Sequence, residues 1–556
     1  MIPGPKLNLR SFFPFPESIR PVQVEALEKI EQAYRSGKRF VLIEAPTGSG
    51  KSPIAVAVAR ALGGYILTPQ KMLTQQYLDD FSDLDLTQLR GRSNYTCYEY
   101  GADCQTGAEL REREPEEKRK ELCKLCPYRS AKEAFMSAQV GITNFDYFLL
   151  ERMFAGELPA RAALILDEGH NAEDLILKHV SLTFDCGWAQ RQLGVVVPEI
   201  IPGKNGPAVV EWMQNELLLA AQQHAGLCEG ALSAEPGNGQ LQTLAANARD
   251  FVRKVEYLLR QSDLEEWLFW TEDRGLFTKE KFCARPLSAA PFAERMLFSA
   301  ASEMVLILSA TILDSAAFQE ALGIPATNCV TLQLPSEFPV ENRPIYFVPA
   351  GSMRRRDRDT TLPRLLELVL TILRRHSADK RIIHAHSFSN CKAVIDFLLT
   401  TEHSTRILTH KTAMEKEEIL NHHAREKNIP TVLISPSMSE GLDLRDELSR
   451  FQVIVKIPYG DLGNPYVVAR KHHSKRWYLW QTALRLVQAT GRSVRSKEDR
   501  AETYVLDSDF RSFVFEAKHI LPKWWTDAIN WNPRKDKPTL STVSTSENLT
   551  KNIGNV

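Results

Sequence analysis

The sequence predicts an α/β fold with two parallel-sheet domains. Short apolar segments that are typical of strands alternate with helical segments in two blocks of similar size. This alternation favours parallel sheets, because a helix must carry the chain back before the next parallel strand can begin. A length of 556 residues also exceeds what one hydrophobic core usually contains, so several domains are expected.

The first block is interrupted by two segments of different character. Its predicted strands are 39–44, 65–68, 140–143, 162–166 and 304–308, and its helices are 53–62, 71–81 and 128–138. Four cysteines and a dense run of mixed charge fall between the second and third of these strands. A longer segment, from about Glu173 to Lys281, has helical spacing and few strand signals. We therefore expect two insertions in the first domain.

The second block begins near residue 339 and again alternates strands with helices. Its predicted strands are 345–348, 381–386, 406–408, 431–435, 453–457 and 503–506. The final segment, 532–556, is polar and rich in Ser, Thr, Asn and Lys, which predicts a disordered tail.

Composition limits the classes of protein. The chain has 69 basic and 69 acidic residues, so a nucleic-acid partner would have to meet local basic clusters. No apolar run is long enough to cross a bilayer, and Met1–Ser18 lacks the features of a signal peptide. We expect a cytoplasmic protein with no membrane partner. The odd number of cysteines, nine, argues against a disulfide framework.

A phosphate-binding loop is predicted at 45–52, where APTGSGKS follows a strand and begins a helix. Its glycines let backbone N–H groups face an anion at the helix N-terminus. The lysine places a positive charge on the terminal phosphates, and the final serine hydroxyl can bind Mg²⁺. The predicted nucleotide-binding residues are Gly48, Ser49, Gly50, Lys51 and Ser52.

An acidic pair completes this predicted site. Asp167 and Glu168 follow an apolar strand, at the end of the sheet where ligands of α/β proteins bind. Beside a phosphate loop, Asp167 is predicted to hold Mg²⁺ and Glu168 to orient and deprotonate the attacking water. Alone, such a pair is often only a helix cap.

The sequence QATGRSVR at 488–495 predicts a third part. Arg492 and Arg495 are three residues apart and share one face of a helix. A guanidinium directed at the γ-phosphate stabilises the charge that develops as the bond breaks. The alternative is a surface arginine pair at a helix end.

Four clustered cysteines predict a metal site. Cys97, Cys104, Cys123 and Cys126 are separated by six, eighteen and two residues. Four thiolates of this kind suit either a [4Fe–4S] cluster or a tetrahedral zinc ion, and the spacing does not separate them.

Together these motifs resemble the superfamily 2 helicases. DEGH at 167–170, SAT at 309–311 and Gln488-xx-Gly-Arg-xx-Arg495 occur in the family's order. Arg20-Pro-x-Gln23 looks like the adenine-reading segment. SEGLD at 439–443 resembles the second-domain motif that links phosphate and nucleic acid. The resemblance therefore implies nucleotide contacts by Arg20, Gln23 and Asp443 and a catalytic role for Gln488.

Within the superfamily, the chain resembles the XPD/DinG branch of iron–sulfur DNA helicases. The cysteine segment opens with GRSNYTC at 91–97 and closes with CPY at 126–128, followed by ITN at 142–144. A helical insertion separates DEGH from SAT, and the second domain continues with IPY at 457–459. The resemblance favours iron over zinc. The short insertion and the absence of a preceding nuclease block suggest a minimal helicase, with a phage or plasmid origin as one hypothesis.

The resemblance implies the following organisation: two RecA-like parallel-sheet motor domains, with a cysteine-rich cluster insertion and a helical arch-like insertion in the first. The expected bounds are 1–90, 139–175 and 283–338 for the first RecA-like domain, 91–138 for the cluster insertion, 176–282 for the arch-like insertion and 339–531 for the second RecA-like domain.

The activity that the resemblance implies is ATP-dependent translocation on single-stranded DNA in the 5′→3′ direction, with unwinding of forked duplexes, D-loops or R-loops. We expect a monomer that binds single-stranded and forked DNA and accepts RNA–DNA hybrids as a further substrate. The implied nucleic-acid contacts, each of which could equally be a core or capping residue, are Thr68, Gln75, Tyr95, Asn144, Ser387 and Ser439.

Two other functions remain open from the sequence. A DNA-stimulated ATPase that remodels protein–DNA complexes or RNA–DNA hybrids without processive unwinding would carry the same motifs. A metal-containing, nucleic-acid-binding regulator that binds nucleotide without turnover is the second alternative, and the presence of Glu168 and Arg492 argues against it.

Overall fold

The structure is a computed structural model. It describes residues 7–46, 48–111, 114–235, 238–272, 280–335, 338–410, 413–426, 429–436, 446–491, 494 and 499–532. The chain folds into two compact units. Unit 1 comprises Met1–Ser336 and Gly460–Gln481, and unit 2 comprises Glu337–Tyr459 and Thr482–Val556.

Unit 1 is built around a parallel sheet of seven strands in the order β12-β1-β11-β7-β2-β6-β3. Helices surround the sheet, and its central strands are buried apolar runs, as expected for a sheet covered on both faces. The elements up to β3 are α1 (Pro21–Arg35), β1 (Phe40–Glu44), α2 (Lys51–Leu62), β2 (Gly64–Thr68), α3 (Lys71–Asp80) and β3 (Leu86–Gln88).

The cysteine segment follows β3 and forms small elements of its own. A two-stranded antiparallel ribbon joins β4 to β5, and short helices follow it. These elements are β4 (Thr96–Cys97), β5 (Ala102–Asp103), α4 (Cys104–Arg111), α5 (Glu116–Glu121) and α6 (Pro127–Ser137). The chain then returns to the large sheet with β6 (Val140–Asn144), α7 (Phe145–Leu150), β7 (Arg161–Asp167) and α8 (Ala172–Val180).

The segment predicted as helical is not helical throughout. Its helices are α9 (Cys186–Trp188), α10 (Gly206–Trp212), α11 (Leu218–Ala234) and α12 (Gly239–Leu259). A three-stranded antiparallel sheet in the order β8-β10-β9 lies at its two ends, with β8 (Leu182–Asp185), β9 (Trp267–Glu272) and β10 (Lys281–Pro286). β8 pairs with β10 across about a hundred residues, so local periodicity gave no sign of that pairing, whereas β9 and β10 are neighbours in the chain.

Unit 1 closes with α13 (Ala290–Met296), β11 (Ala301–Ser309), α14 (Ser315–Leu322) and β12 (Cys329–Gln333). The later segment 460–481, which sequence analysis assigned to the second domain, packs in unit 1. It does so because buried side chains of this segment, such as Arg470 and Trp480, bond to the body of unit 1.

Unit 2 contains a second parallel sheet of seven strands, in the order β15-β16-β14-β17-β18-β13-β19. Its first elements are β13 (Ile345–Gly351), α15 (Arg358–Arg375), β14 (Arg381–His384), α16 (Phe388–Leu399), β15 (Ile407–Leu408), α17 (Ala413–Arg425), β16 (Val432–Ser435) and β17 (Phe451–Ile454). The chain then passes through α18 (Pro465–His473) and the first part of α19 (Lys475–Thr490), which belong to the 460–481 segment of unit 1. It returns to unit 2 with the end of α19, β18 (Glu502–Asp507), α20 (Asp509–Glu516), α21 (Lys523–Thr526) and β19 (Ile529–Asn530).

The two parallel sheets confirm the predicted α/β fold and fit the expected pair of RecA-like domains. The predicted tail, 532–556, lies outside the described residues except for its first residue, Asn532. Among the helices that the structure describes, none combines the length and the apolar character needed to cross a membrane.

Candidate functional site

The phosphate loop lies between β1 and α2, at the carboxyl end of a central strand. Gly48 and Gly50 have φ values of 81° and 80°, a left-handed conformation that glycine adopts without strain. Lys51 is the first residue of α2, and its ammonium group donates to the carbonyl oxygen of Ala45 at 3.3 Å. The Ser49 hydroxyl is buried and has no hydrogen-bond partner among the described residues.

The segment at the start of α1 packs directly against this loop. The Arg20 guanidinium donates to the carbonyl oxygen of Gly48 at 2.6 Å, and the Gln23 amide donates to that of Gly50 at 3.2 Å. A Cβ atom at Gly50 would lie 2.0 Å from the Gln23 amide nitrogen, so a side chain here would displace that amide and strain the left-handed backbone. The two residues predicted to contact the nucleotide therefore bond to the loop itself.

Asp167 ends β7 and is buried beside Tyr77 of α3. The Tyr77 hydroxyl donates to a carboxylate oxygen of Asp167 at 2.8 Å; burial raises the pKa of that hydroxyl, and the nearby Ser52 side chain lowers it. Burial, followed by the neighbouring charge of Glu168, raises the pKa of Asp167, whereas Lys51 and the Tyr77 hydroxyl lower it. Tyr77 thus lies close to both side chains predicted to bind Mg²⁺, and the sequence patterns did not identify it.

Glu168 lies between the phosphate loop and β11. Its backbone is left-handed, with φ 48°, and its carboxylate is 3.7 Å from the Lys51 ammonium nitrogen. The other carboxylate oxygen is 3.3 Å from His170 Nδ1, which is hydrogen-bonded to the Ser309 hydroxyl at 2.8 Å. The Ser309 hydroxyl in turn accepts from the backbone N–H of Thr311 at 3.0 Å. The three predicted motifs of unit 1 therefore form one contiguous network.

Glu44 is the last residue of β1, and its carboxyl group is buried near this network. One of its oxygens accepts from the Gln333 amide at 3.3 Å. Burial raises its pKa to about 7, and backbone N–H groups of Leu313 and Ile312 lower it in part. The carboxyl group therefore links the strand before the phosphate loop to the turn after Thr311.

The second-domain motifs are described only in part. Gln488 is buried near the end of α19. Asp443, Ser439, Arg492 and Arg495 lie outside the described residues.

The four clustered cysteines lie in the small elements after β3. The sulfur atoms of Cys104 and Cys126 are 4.0 Å apart, and both Cys97 and Cys126 influence the pKa values of Cys104 and Cys123. Burial, and then Cys126, raise the pKa of the Cys104 thiol. Within the described ranges, however, no group of three or more Cys, His, Asp or Glu side chains is arranged to hold a metal ion.

Two predicted nucleic-acid residues, Gln75 and Asn144, line one cavity of about 260 Å³ at the carboxyl ends of β2 and β6. Lys71 and Arg90 contribute positive charge, and Arg90 donates to the Gln75 side chain at 2.8 Å. Asn144 also caps α7 by accepting from the backbone N–H of Tyr147 at 2.8 Å. The cavity is polar and basic, but one of its two predicted residues has a structural role as well.

The other described candidates make internal contacts. Thr68 is fully buried, and its hydroxyl is 2.6 Å from that of Thr74. Ser387 caps α16 by accepting from the backbone N–H of Asn390 at 3.1 Å. The Tyr95 ring packs edge-on against Tyr128. Capping and core roles therefore account for these side chains without a ligand.

A larger cavity, of about 830 Å³, was not identified from the sequence. It lies between the cysteine segment and helices α11 and α12. Its lining includes three arginines, Arg92, Arg249 and Arg253, and two acids, Glu229 and Asp250. Only the tertiary arrangement brings these residues together, because they come from two segments more than a hundred residues apart.

Comparisons with known proteins agree with this fold. Residues 370–528 match the family described as a helicase C-terminal domain, and residues 17–194 match the res subunit of type III restriction enzymes. A solved XPD helicase shares 15% sequence identity with a TM-score of 0.64, and the match covers 90% of this chain and 98% of that one. No curated protein matches the sequence.

Two further solved structures show the same fold. A structure named as apo XPD has 13% identity and a TM-score of 0.59, and the match covers 88% of this chain and 97% of that one. Xpd4 from S. tokodaii has 13% identity and a TM-score of 0.56, with 92% and 100% coverage. Two parts of the chain therefore match the helicase C-terminal and type III res-subunit families, and its fold is similar to that of solved XPD helicases.

Replacing Tyr77 by phenylalanine removes the hydroxyl that donates to Asp167, one of the two proposed Mg²⁺ ligands. We expect Tyr77→Phe to raise the Mg²⁺ concentration needed for half-maximal ATP hydrolysis by about 10- to 100-fold, as for other residues that orient metal ligands. Steady-state ATPase assays over a Mg²⁺ series measure this. Tyr98→Phe, at a side chain that is 72% exposed, is the control, and an unchanged Mg²⁺ requirement in Tyr77→Phe would contradict the role.

Glu44 predicts a pH dependence of stability. Its pKa is about 7 in the folded chain against 4.5 without perturbation, so the folded state holds the extra proton between these values. The free energy of unfolding should therefore fall as pH rises from 4.5 towards 7, and Glu44→Gln should reduce that fall. Chemical denaturation across this range measures the difference. Glu133→Gln, at an exposed side chain, should keep the wild-type slope of the free energy of unfolding against pH. The same slope in Glu44→Gln would refute the assignment.

Proposed function

We propose that this protein is an ATP-driven DNA helicase that translocates on single-stranded DNA. The observation that carries the proposal is the network in which Lys51, Glu168, His170 and Ser309 join three helicase motifs at one edge of the sheet. The network fits an ATPase that responds to nucleic acid, because the β11 motif is bonded to the acidic pair.

Each residue of the network has a proposed task at the nucleotide. The backbone of Gly48–Gly50 cradles the phosphates, and Lys51 pairs with the terminal phosphates in place of Glu168. Glu168 then orients and deprotonates the attacking water. Arg20 and Gln23 are placed beside the loop, where they fit the adenine-contacting role.

The proposed Mg²⁺ site consists of Ser52 and Asp167. Both are hard oxygen ligands, and both lie close to Tyr77, which donates to Asp167, so the donor set suits this ion. When bound, Mg²⁺ neutralises charge on the phosphates. From the second domain, Gln488, Arg492, Arg495 and Asp443 are proposed to complete the site, with the arginines stabilising the charge that develops on the γ-phosphate.

The two cavities of unit 1 support a path for single-stranded DNA. The cavity at Gln75 and Asn144 presents the basic side chains of Lys71 and Arg90 to a backbone. The cavity between the cysteine segment and α11–α12 is bordered by arginines and is large enough for several nucleotide groups. Contacts by Tyr95, Ser387 and Ser439 remain proposals that rest on the family resemblance.

We also propose that Cys97, Cys104, Cys123 and Cys126 hold a [4Fe–4S] cluster. The four thiols lie within electrostatic range of one another, and two of them are 4.0 Å apart. A cation would favour the thiolate forms of Cys104 and Cys123, which burial and the neighbouring cysteines now disfavour. About four irons per chain would support the cluster, whereas one zinc would show that the same thiols form a zinc site.

Strand displacement on forked DNA tests the function. We expect ATP-dependent unwinding of a fork with a 5′ single-stranded tail, and little unwinding of one with only a 3′ tail, if translocation is 5′→3′. ATP hydrolysis stimulated by DNA without displacement of any fork, D-loop or R-loop would instead favour the remodelling ATPase. Nucleotide binding without hydrolysis would favour a regulatory protein and refute the proposal.

A cysteine variant is the control in the same assay. Cys123→Ser removes one proposed cluster ligand at a distance from the nucleotide network, so it should lose unwinding and iron while retaining basal ATP hydrolysis. Cys391→Ser, at a buried cysteine of unit 2, should retain both iron and unwinding.

A further inference from the structure

The segment Gly460–Gln481, here called the docking segment, lies in unit 1, although the chain on both sides of it belongs to unit 2. It contains α18 and the first part of α19. The same helix α19 then continues to Thr490 and includes Gln488. The docking segment is therefore a covalent link that begins and ends in unit 2 but is anchored in unit 1.

Its first anchor is Glu173, in the first turn of α8, the helix that follows the acidic pair. Glu173 is only 2% exposed. One carboxylate oxygen accepts from the Arg470 guanidinium, and the other accepts from Trp477 Nε1 at 3.1 Å and from the Gln481 amide at 3.4 Å. All three donors belong to the docking segment, so one buried carboxylate holds its two helices.

Arg470 is buried to the same degree as its partner. It is 4% exposed, donates to the carbonyl oxygen of Leu287, and lies with its guanidinium carbon 4.2 Å from the centre of the Trp477 ring. Burial raises the pKa of Glu173, and the Arg470 charge lowers it. The Arg470 guanidinium therefore favours the ionised form of the buried Glu173 carboxyl.

The second anchor reaches the turn after β11. Arg476 forms two parallel hydrogen bonds with the Asp314 carboxylate, at 2.5 and 2.6 Å, and Trp480 Nε1 donates to the carbonyl oxygen of Ile312 at 2.7 Å. Asp314 also caps α14. Ile312 and Asp314 follow the Ser309–Thr311 motif, as Glu173 follows the acidic motif at 167–170. The docking segment therefore bonds to residues that come shortly after two of the three motifs.

A buried ion pair at this place is not explained by stability alone. Replacing such a pair with apolar side chains of similar size is often neutral or stabilising, because desolvation offsets much of the attraction. An apolar contact would fasten the docking segment equally well. The pair instead fixes the orientation of α8, the helix that begins shortly after Glu168 and His170.

We propose that Glu173 is a positioning residue for ATP hydrolysis. Through Arg470 it fixes the docking segment to the helix behind the acidic pair, so that nucleic acid engaged by unit 2 sets the position of Glu168. This inference rests on the proposed function and assigns a part of its regulation to one ion pair. Nucleotide binding does not depend on the pair, whereas nucleic-acid-stimulated turnover does.

The test is the double variant Glu173→Gln with Arg470→Met. The glutamine keeps an oxygen for the Trp477 and Gln481 donors, and the methionine keeps the apolar stem of the arginine while both charges are removed. The thermal midpoint should match or exceed that of the wild type. The kcat of ATP hydrolysis with single-stranded DNA should fall about tenfold, at the upper range of coupling effects, while KM for ATP stays unchanged.

The matched control is the same pair of substitutions at an exposed ion pair, Glu402→Gln with Arg374→Met, which should leave every value unchanged. The single variant Arg470→Lys keeps a cation beside Glu173 and should retain more stimulated turnover than the double variant. A folded double variant with wild-type stimulation by DNA overturns the inference. A double variant whose thermal midpoint lies well below that of the wild type also overturns it, because the pair is then structural. Wild-type protein without DNA stimulation refutes the proposed function itself.

Discussion

The adjacency of β1, β11 and β7 in the parallel sheet is the constraint on which the site of unit 1 depends. Parallel strands end at one edge, so the residues after each strand are brought together however far apart they lie in sequence. The backbone N–H of Ala45 donates to the carbonyl oxygen of Ser309 at 2.8 Å, which fixes the phosphate loop against the β11 motif. The strand register thus places Lys51 near Glu168.

Buried carboxylates give this edge its chemical character. Glu44, Asp167 and Glu173 are all buried, and burial is the largest influence raising the pKa of each. Such groups are costly unless they are paired or hydrogen-bonded. Each has a different partner: an amide for Glu44, a tyrosine hydroxyl for Asp167 and a guanidinium for Glu173. These partners lie in three different elements, β12, α3 and α18.

The sequence predicted the two parallel sheets well, because their central strands are continuous apolar runs between helices. It also predicted the phosphate loop and the acidic pair, since these depend on local spacing. It gave no sign of Tyr77, of the β8-β10-β9 sheet or of the docking of 460–481 in unit 1, because these arise from contacts between distant segments. Asn144 and Ser387 show the converse, because polar residues that follow strands also serve as helix caps.

The most direct test of the account is to measure binding and hydrolysis of ATP by Glu168→Gln beside the wild type. The wild type should hydrolyse ATP in the presence of Mg²⁺. The variant lacks the base that activates water but keeps the phosphate loop, so it should bind ATP normally and hydrolyse it more slowly by roughly 100-fold or more. Equal rates of hydrolysis in the two proteins would contradict the assignment of this network as the catalytic site.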